Sequence, residues 1–378
     1  QTKLDRIIKM PIVRGKSTQY GSSAVQVIKS GQIRGEYEFD FTEKYYAADS
    51  FVSDDRNLQK GDILINSTGV GTAGRVNLFN LEGDFVVDSH VAIVRLDQTE
   101  MLPEFLLYVL KNIGFKNLES LATGQSGQIE LTPTQISNLK VPKPPIVVQE
   151  QLCKENNKLY SDIAKKQEEI VVIKQNRENI ISDIFCKGHK EFFLGDEEYV
   201  TLRRGPFGGS LKKEIFVASG YKVYEQKHVI KNDFSIGRYY ITTEKFNEMK
   251  AFEVLPNDIL MSCSGTIGKF AIVPTEAKPG IINQALLRFR TTDKILPEYL
   301  KMCLEYITLE FTRKSHGKGI QNVTSIDTLK AIKIPVPGDM EEQKRIVKSV
   351  SKYDDMIDKS LHDIYDIEMQ QAKLIDKY

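Results

Sequence analysis

The sequence predicts an α/β (α+β) chain: two repeated globular domains separated by two long helices that pair as an antiparallel coiled coil. Three observations predict it. A glycine-rich stretch occurs twice, Gly71-Thr72-Ala73-Gly74-Arg75 returning as Gly265-Thr266-Ile267-Gly268-Lys269 after 194 residues. Each copy leaves on closely spaced prolines. After each exit the apolar residues fall into heptads. A period this long is no solenoid repeat but a whole domain written twice.

The first domain covers 1–148. Its apolar run Asp62-Ile63-Leu64-Ile65-Asn66-Ser67-Thr68 matches Asp258-Ile259-Leu260-Met261-Ser262-Cys263-Ser264 at a shift of 196, so the first copy carries two extra residues at the glycine turn. The shift of 194 sets Ser89-His90 against Asn283-Gln284, and Leu102-Pro103-Glu104-Phe105-Leu106 against Leu296-Pro297-Glu298-Tyr299-Leu300. Phe85 to Val94 reads as one strand with polar residues in its middle. After Leu102-Pro103-Glu104 comes a short amphipathic helix, with Phe105, Leu106, Val109 and Leu110 on one face. A polar loop follows at Thr123 to Gln128. Val141-Pro142-Lys143-Pro144-Pro145 then ends the domain, since such prolines suit neither a helix interior nor a central strand.

The first spacer helix is expected at 149–187. Leu152, Leu159, Ile173 and Ile180 share one seven-residue series; Ile163, Ile170 and Ile184 share another, four residues on. That is an a/d seam, interrupted by the polar Asn156, Lys166 and Arg177. Its length would be about 55 Å. Lys187-Gly188-His189-Lys190 breaks it. The second domain covers 188–340 and closes on Ile334-Pro335-Val336-Pro337; the second spacer helix covers 341–378. There the seam is Ile346, Tyr353, Ile367 and Leu374 with Val350, Ile357 and Ile364. The heptad register follows the domain repeat. A narrow apolar stripe needs a partner, and the short exits favour antiparallel pairing with one domain at each end.

The composition, 41% apolar and 27% charged, is that of an ordinary globular protein, and the net charge of +1 confines any nucleic-acid site to a local patch. Four cysteines lie far apart, as expected of reduced thiols in a cytoplasmic protein. No stretch reads as a membrane span or a signal peptide.

Motifs that suggest catalysis fail on inspection. Gly69-Val70-Gly71-Thr72-Ala73-Gly74 has the dinucleotide-binding spacing, but a strand-like segment follows it instead of a helix, and the second copy lacks the first glycine. A tight turn between strands explains the glycines better. Gly265 to Lys269 lacks the phosphate-loop spacing and is followed by Phe270 where a hydroxyl belongs. Lys143-Pro144-Pro145-Ile146 has the wrong flanks for an amino-methyltransferase motif. The five histidines are scattered. No catalytic residue and no metal ligand set is expected.

The copies agree where a core should agree. They diverge over 14–60 and 203–256, apart from Tyr45-Tyr46 against Tyr239-Tyr240. A shared scaffold with separate surfaces suits recognition of two different things. In the first copy the candidate DNA contacts are Arg14, Lys16, Ser17, Tyr20 and Arg34, then Ser67, Thr68 and Arg75 at the glycine turn, then Gln125, Ser126 and Gln128. In the second they are Arg203, Arg204, Lys212, Lys213, Tyr224, Gln226, Lys227 and His228, then Ser262, Ser264 and Lys269, then Lys314, His316 and Lys318. Lys and Arg bind phosphate; Arg, Gln and Ser also read base edges. Backbone amides at the turns offer further phosphate contacts.

In order, and twice over, these features resemble the specificity subunit of a type I restriction-modification system. The carrying residues are the doubled Asp-Ile-Leu strand with its Gly-Thr-x-Gly turn, the doubled Leu-Pro-Glu helix, the proline exits, the two heptad helices and the opening Arg203-Arg204-Gly205-Pro206-Phe207-Gly208-Gly209. The resemblance implies two target-recognition domains reading the halves of a split, asymmetric sequence in double-stranded DNA, with the helices as spacer. It implies a scaffold for two methyltransferase (modification) subunits and for restriction/translocase subunits. It implies no cofactor in this chain, with S-adenosylmethionine, ATP and Mg on the partners. Two rival readings are a self-contained DNA methyltransferase or nuclease, and a protein-binding scaffold.

Overall fold

The computed structural model describes residues 1–125, 128–206, 208–314 and 326–377. The chain divides into two compact units: 1–166 with 362–378, and 167–361. Each unit therefore holds a domain together with part of both long helices.

The core of the first unit is an antiparallel sheet in the order Val13–Arg14, Val91–Val94, Ile63–Asn66, Val76–Leu78. Ile63 to Asn66 is buried at every position, which explains its unbroken apolar run. A smaller sheet sets Gln26–Ile28 between Tyr45–Tyr46 and Phe85–Val87. The second unit repeats both. Its main sheet runs Val200–Arg204, Leu286–Thr291, Ile259–Ser262, Phe270–Ile272. Its smaller sheet runs Tyr240–Ile241, Tyr221–Tyr224, Gly280–Ile282, with Glu253–Val254 added at the edge.

Hydrogen bonds fix the repeat residue by residue. Asn66 N donates to Arg75 O at 2.9 Å, and Ser262 N to Lys269 O at 2.9 Å. The shift is 196 on one side of the turn and 194 on the other, so the two extra residues lie inside it. Ser67 N donates to His90 O at 2.7 Å, and Cys263 N to Ala285 O at 2.8 Å. His90 thus corresponds to Ala285 and Ser89 to Gln284, one residue later than the sequence shift alone suggests.

The expected continuous strand from Phe85 to Val94 is two strands in two sheets. Asp88 breaks it: one carboxylate oxygen accepts from His90 N at 2.9 Å and the other from Ser30 N at 3.2 Å. An aspartate that bonds the backbone two residues on makes a turn, and here that turn passes the chain from one sheet to the other.

The Leu-Pro-Glu segments start helices Pro103–Ile113 and Pro297–Lys314, with proline in the first turn where its missing N–H costs nothing. The long helices run Ile146–Cys186 and Met340–Asp376. The first begins immediately after Pro144-Pro145, ahead of the expected 149, because prolines before a helix do not disturb its ladder. It ends before Gly188, whose φ is +68°.

The two long helices pair antiparallel. In the first unit Leu152 and Cys153 share a core with Leu374 and Ile375, and Lys166 Nζ lies 3.1 Å from an Asp363 carboxylate oxygen. In the second unit Ile180, Ile181 and Ile184 share a core with Ile346 and Val350, and Arg177 Nε donates to Asp354 at 2.7 Å. Two polar interruptions of the seam thus face acids from the opposite helix. Of the expected seam, Leu152, Ile170, Ile184 and Val350 are buried; Leu159, Ile163, Ile173, Ile180, Ile346, Tyr353, Ile357, Ile364, Ile367 and Leu374 are half-buried.

Each helix start is pinned to its domain by one buried glutamine. Gln149 Oε1 accepts from Leu102 N at 2.9 Å, and its Nε2 donates to Glu100 O at 3.2 Å and Pro144 O at 2.8 Å. Gln343 Oε1 accepts from Leu296 N at 2.9 Å, and its Nε2 donates to Lys294 O at 3.1 Å.

Candidate nucleic-acid interface

In the first unit the end of the main sheet forms an open hollow of about 670 Å³, lined by Arg14, Gly15, Arg56, Thr68, Ser89, His90 and Glu130 among others. Arg14 and Thr68 were expected here. Arg56, Ser89 and His90 were not; the signal for Ser89 and His90 is the polar triplet Asp88-Ser89-His90 inside an apolar run, and Arg56 has none. Gly15 allows the strand to leave the sheet against the backbone, since a Cβ there would stand 2.0 Å from Val87 O. Gly205 is in the same position in the second unit, its Cβ 1.8 Å from Asn283 O. Only glycine fits so close an approach.

The polar groups of the hollow are held in place. Arg14 is paired with Glu130 at 2.5 Å, and Thr68 Oγ1 lies 2.8 Å from His90 Nδ1, leaving the rest of that exposed ring outward. The hairpin Thr123–Gln125 with Gln128–Glu130 closes one side: Gly69 N donates to Ile129 O at 3.1 Å and Leu131 N to Ser67 O at 2.7 Å. Gln128 is exposed on it.

The glycine turn is less available to phosphate than its sequence suggests. Gly69, Gly71 and Gly74 have φ of +92°, +80° and +91°, the left-handed region. The Gly71 amide donates to the Glu119 carboxylate, and Arg75 Nη2 donates back to Gly71 O at 3.0 Å.

Four expected contacts lie in the interior. Ser67 and Ser262 are fully buried; the Ser262 hydroxyl donates to Thr266 O at 2.6 Å and accepts from Lys269 N at 3.0 Å, shaping the turn from within. Tyr224 is buried, its hydroxyl donating to Lys278 O at 2.5 Å. His228 is buried as well: Nε2 donates to Ile236 O at 2.8 Å and Nδ1 accepts from Glu225 N at 2.9 Å. Burial holds its pKa below the usual imidazole value, outweighing the two backbone bonds that raise it. A polar-looking run, Tyr224 to His228, is here a strand end and a helix start facing inward.

Other expected contacts remain on the surface. In the first unit Lys16, Ser17, Tyr20 and Arg34 are exposed and Arg75 is half-buried. Lys16 pairs with Asp54, holding that carboxyl below its usual range. Arg34 pairs with Asp40 at 2.5 Å; the Thr42 hydroxyl and then Arg34 lower the Asp40 carboxyl. In the second unit Arg203, Lys212, Lys213, Ser264 and Lys269 are exposed, with Arg204, Gln226 and Lys227 half-buried. Gln226 lies beside the turn, its Nε2 3.4 Å from where a Gly265 Cβ would be. Lys227 pairs with Glu225 at 2.6 Å. The side chains of Gln125 and Lys314, and all of Ser126, His316 and Lys318, lie outside the described residues.

Among the described residues no three His, Cys, Asp or Glu side chains gather to hold a metal, and no helix is long and apolar enough to cross a membrane.

The model of the family described as type I restriction modification DNA specificity domain matches residues 9–175 and again 208–368. Two Methanocaldococcus jannaschii proteins are similar. The MjaX specificity subunit is 24% identical, covering 84% of this chain and 77% of that protein. The type I restriction enzyme MjaVIII specificity subunit is 23% identical, covering 93% and 87%. A solved chain, from work on complex assembly and conformational transition of the type I R-M system, shares the fold. Its TM-score is 0.57 at 15% identity, covering 100% of this chain and 96% of that one.

Proposed function

The chain belongs to the family of type I restriction modification DNA specificity domains and carries that domain twice, and from that premise we propose that it reads a bipartite, asymmetric sequence in double-stranded DNA for a type I restriction-modification complex. Each unit reads one half. The chain itself is non-catalytic. Modifying a base inside a duplex requires extruding it into a catalytic pocket, and in this reading that pocket belongs to two methyltransferase subunits docked on the chain. Restriction/translocase subunits join them. S-adenosylmethionine, ATP and Mg reside on these partners, and the complex works in the cytoplasm.

One observation carries the reading: a single scaffold, fixed hydrogen bond by hydrogen bond, presents different side chains on its two equivalent edges. Where the first unit has Thr68, Ser89 and His90, the second has Ser264, Gln284 and Ala285. A conserved frame with changed donors and acceptors is what distinct base readout requires. Exposed Val171, Val172, Met356 and Leu361 on the long helices supply apolar area for a docked subunit.

The test is a domain exchange. Residues 1–148 are replaced by the corresponding domain of another family member, and methylated motifs are mapped in cells carrying either chain. One half of the motif should change and the other persist. A change in both halves, or none, would overturn the proposal.

A further inference from the structure

We infer that each unit carries an aromatic grip for a DNA strand: Tyr20, Tyr45 and Lys29 in the first, Phe216, Tyr239 and Arg238 in the second. The inference rests on the DNA-reading function proposed above and adds residues to it.

The equivalence is structural. Gly21 N donates to Tyr46 O at 3.0 Å, and Val217 N donates to Tyr240 O at 2.9 Å. The residue before each donor, Tyr20 or Phe216, packs on the residue before each acceptor, Tyr45 or Tyr239. Ring centroids are 5.6 Å apart in the first pair and 4.6 Å in the second. Both pairs lie inside the segments that otherwise diverge between the copies. Cations cover each: Lys29 Nζ is 3.4 Å from the Tyr45 centroid and 4.7 Å from that of Tyr20, while Lys227 Nζ, itself paired with Glu225, and the Arg238 guanidinium carbon are 5.5 Å and 5.6 Å from that of Tyr239.

In the second unit Phe216 and Tyr239 are both half-buried against the core of Val223, Ile241 and Phe246; in the first, burial alone does not account for the pair. Tyr45 lies against the small core of Val27, Ala47 and Val86, but Tyr20 is 52% exposed. The charges are distinctive too. Lys16, Arg34 and Lys227 are answered by carboxylates, whereas among the described residues neither Lys29 nor Arg238 forms an ion pair. A ring face attracts a cation without neutralising it. The side chain is thus held in place while its charge stays available to an incoming phosphate, and in the first unit the exposed Tyr20 ring beside it offers a flat face to the sugar or base edge. Nothing in the cluster distinguishes one base from another, so its role is to position the strand.

The test uses the full chain and two labelled DNA duplexes, one with the methylated motif and one with it scrambled, titrated over a range of salt. Lys29→Gln and Arg238→Gln should each weaken both duplexes by the same factor, about fivefold, and lower the slope of log affinity on log salt by about one. Lys29→Arg should restore both. Tyr20→Ala should weaken binding with the slope unchanged. Normal preference for the motif with an unchanged slope in both Gln variants would overturn the grip, as would an altered methylated motif. Failure of the unaltered chain to prefer its motif would instead overturn the reading function.

Discussion

Asp62 and Arg95 meet at two points inside the first unit, Nε donating to Oδ1 at 2.8 Å and Nη2 to Oδ2 at 2.7 Å. Asp258 and Arg290 repeat the pairing, both contacts at 2.7 Å. The arginine side chains differ in exposure, 10% against 32%. Removing one member of a buried pair strands the other charge, at a cost of about 3–5 kcal/mol. Asp62→Ala should approach that cost and Asp258→Ala fall short of it, because water can reach Arg290. Hydrogen exchange under increasing urea reads each unit separately. Equal losses below about 1 kcal/mol would contradict the argument.

Arg177 and Asp354 should behave as a matched pair that sets helix orientation. Arg177 Nη2 also lies 3.6 Å from a Glu305 carboxylate oxygen, so Arg177→Asp should destabilise the second unit and adding Asp354→Arg should recover only part of the loss. Asp354 is 51% exposed, so a coupling of about 1 kcal/mol or less is expected. A double-mutant cycle in urea measures it, and a coupling of zero would show that the acid merely lies nearby.

Helix length should set the gap between half-sites if the helices are the spacer. One heptad added to each, after Lys166 and before His362, keeps the seam aligned and adds roughly 10 Å. That equals about three base pairs. Both half-sites should persist in the methylated motif while the gap lengthens. Adding two residues instead turns the seam by about 200° and should abolish pairing. A stable heptad variant with an unchanged gap would exclude the helices as ruler.

Acidification should loosen the second unit through His228. Its folded pKa lies below its unfolded value of about 6.5, because the buried ring is favoured neutral. The stability it contributes is complete above the unfolded value and is lost as pH falls through the folded one. His228→Gln should flatten that decline. Calorimetry of both chains between about pH 7.5 and pH 5 checks this; parallel curves would assign the decline to other groups.

The sequence displays the scaffold more plainly than the surface. The doubled strand, glycine turn and Leu-Pro-Glu helix are legible because burial restricts their residues in both copies. The seam is legible from its period, and its antiparallel sense from the short proline exits. Three things were hidden. The break at Asp88 rests on side-chain bonds that resemble a polar strand interior. The inward turn of Tyr224 and His228 depends on partners, Lys278 and Ile236, distant in sequence or on the backbone. The slip of one residue at His90 arises because insertions on either side of a strand shift the repeat differently, which no single offset can represent.

Among the described residues, the side chain of the glutamine that fastens each long helix hydrogen-bonds only to main-chain atoms. The side chains of Gln149 and Gln343 bond backbone amides and carbonyls of the domain they hold. The fitting is therefore blind to amino-acid identity on the far side. Residues facing the nucleic acid can be exchanged wholesale, by drift or by recombination, without refitting the joint, provided the backbone path survives. Such a coupling works as a standard socket, and under the proposed bipartite reading it would let one half of the molecule change its specificity while the other keeps its own.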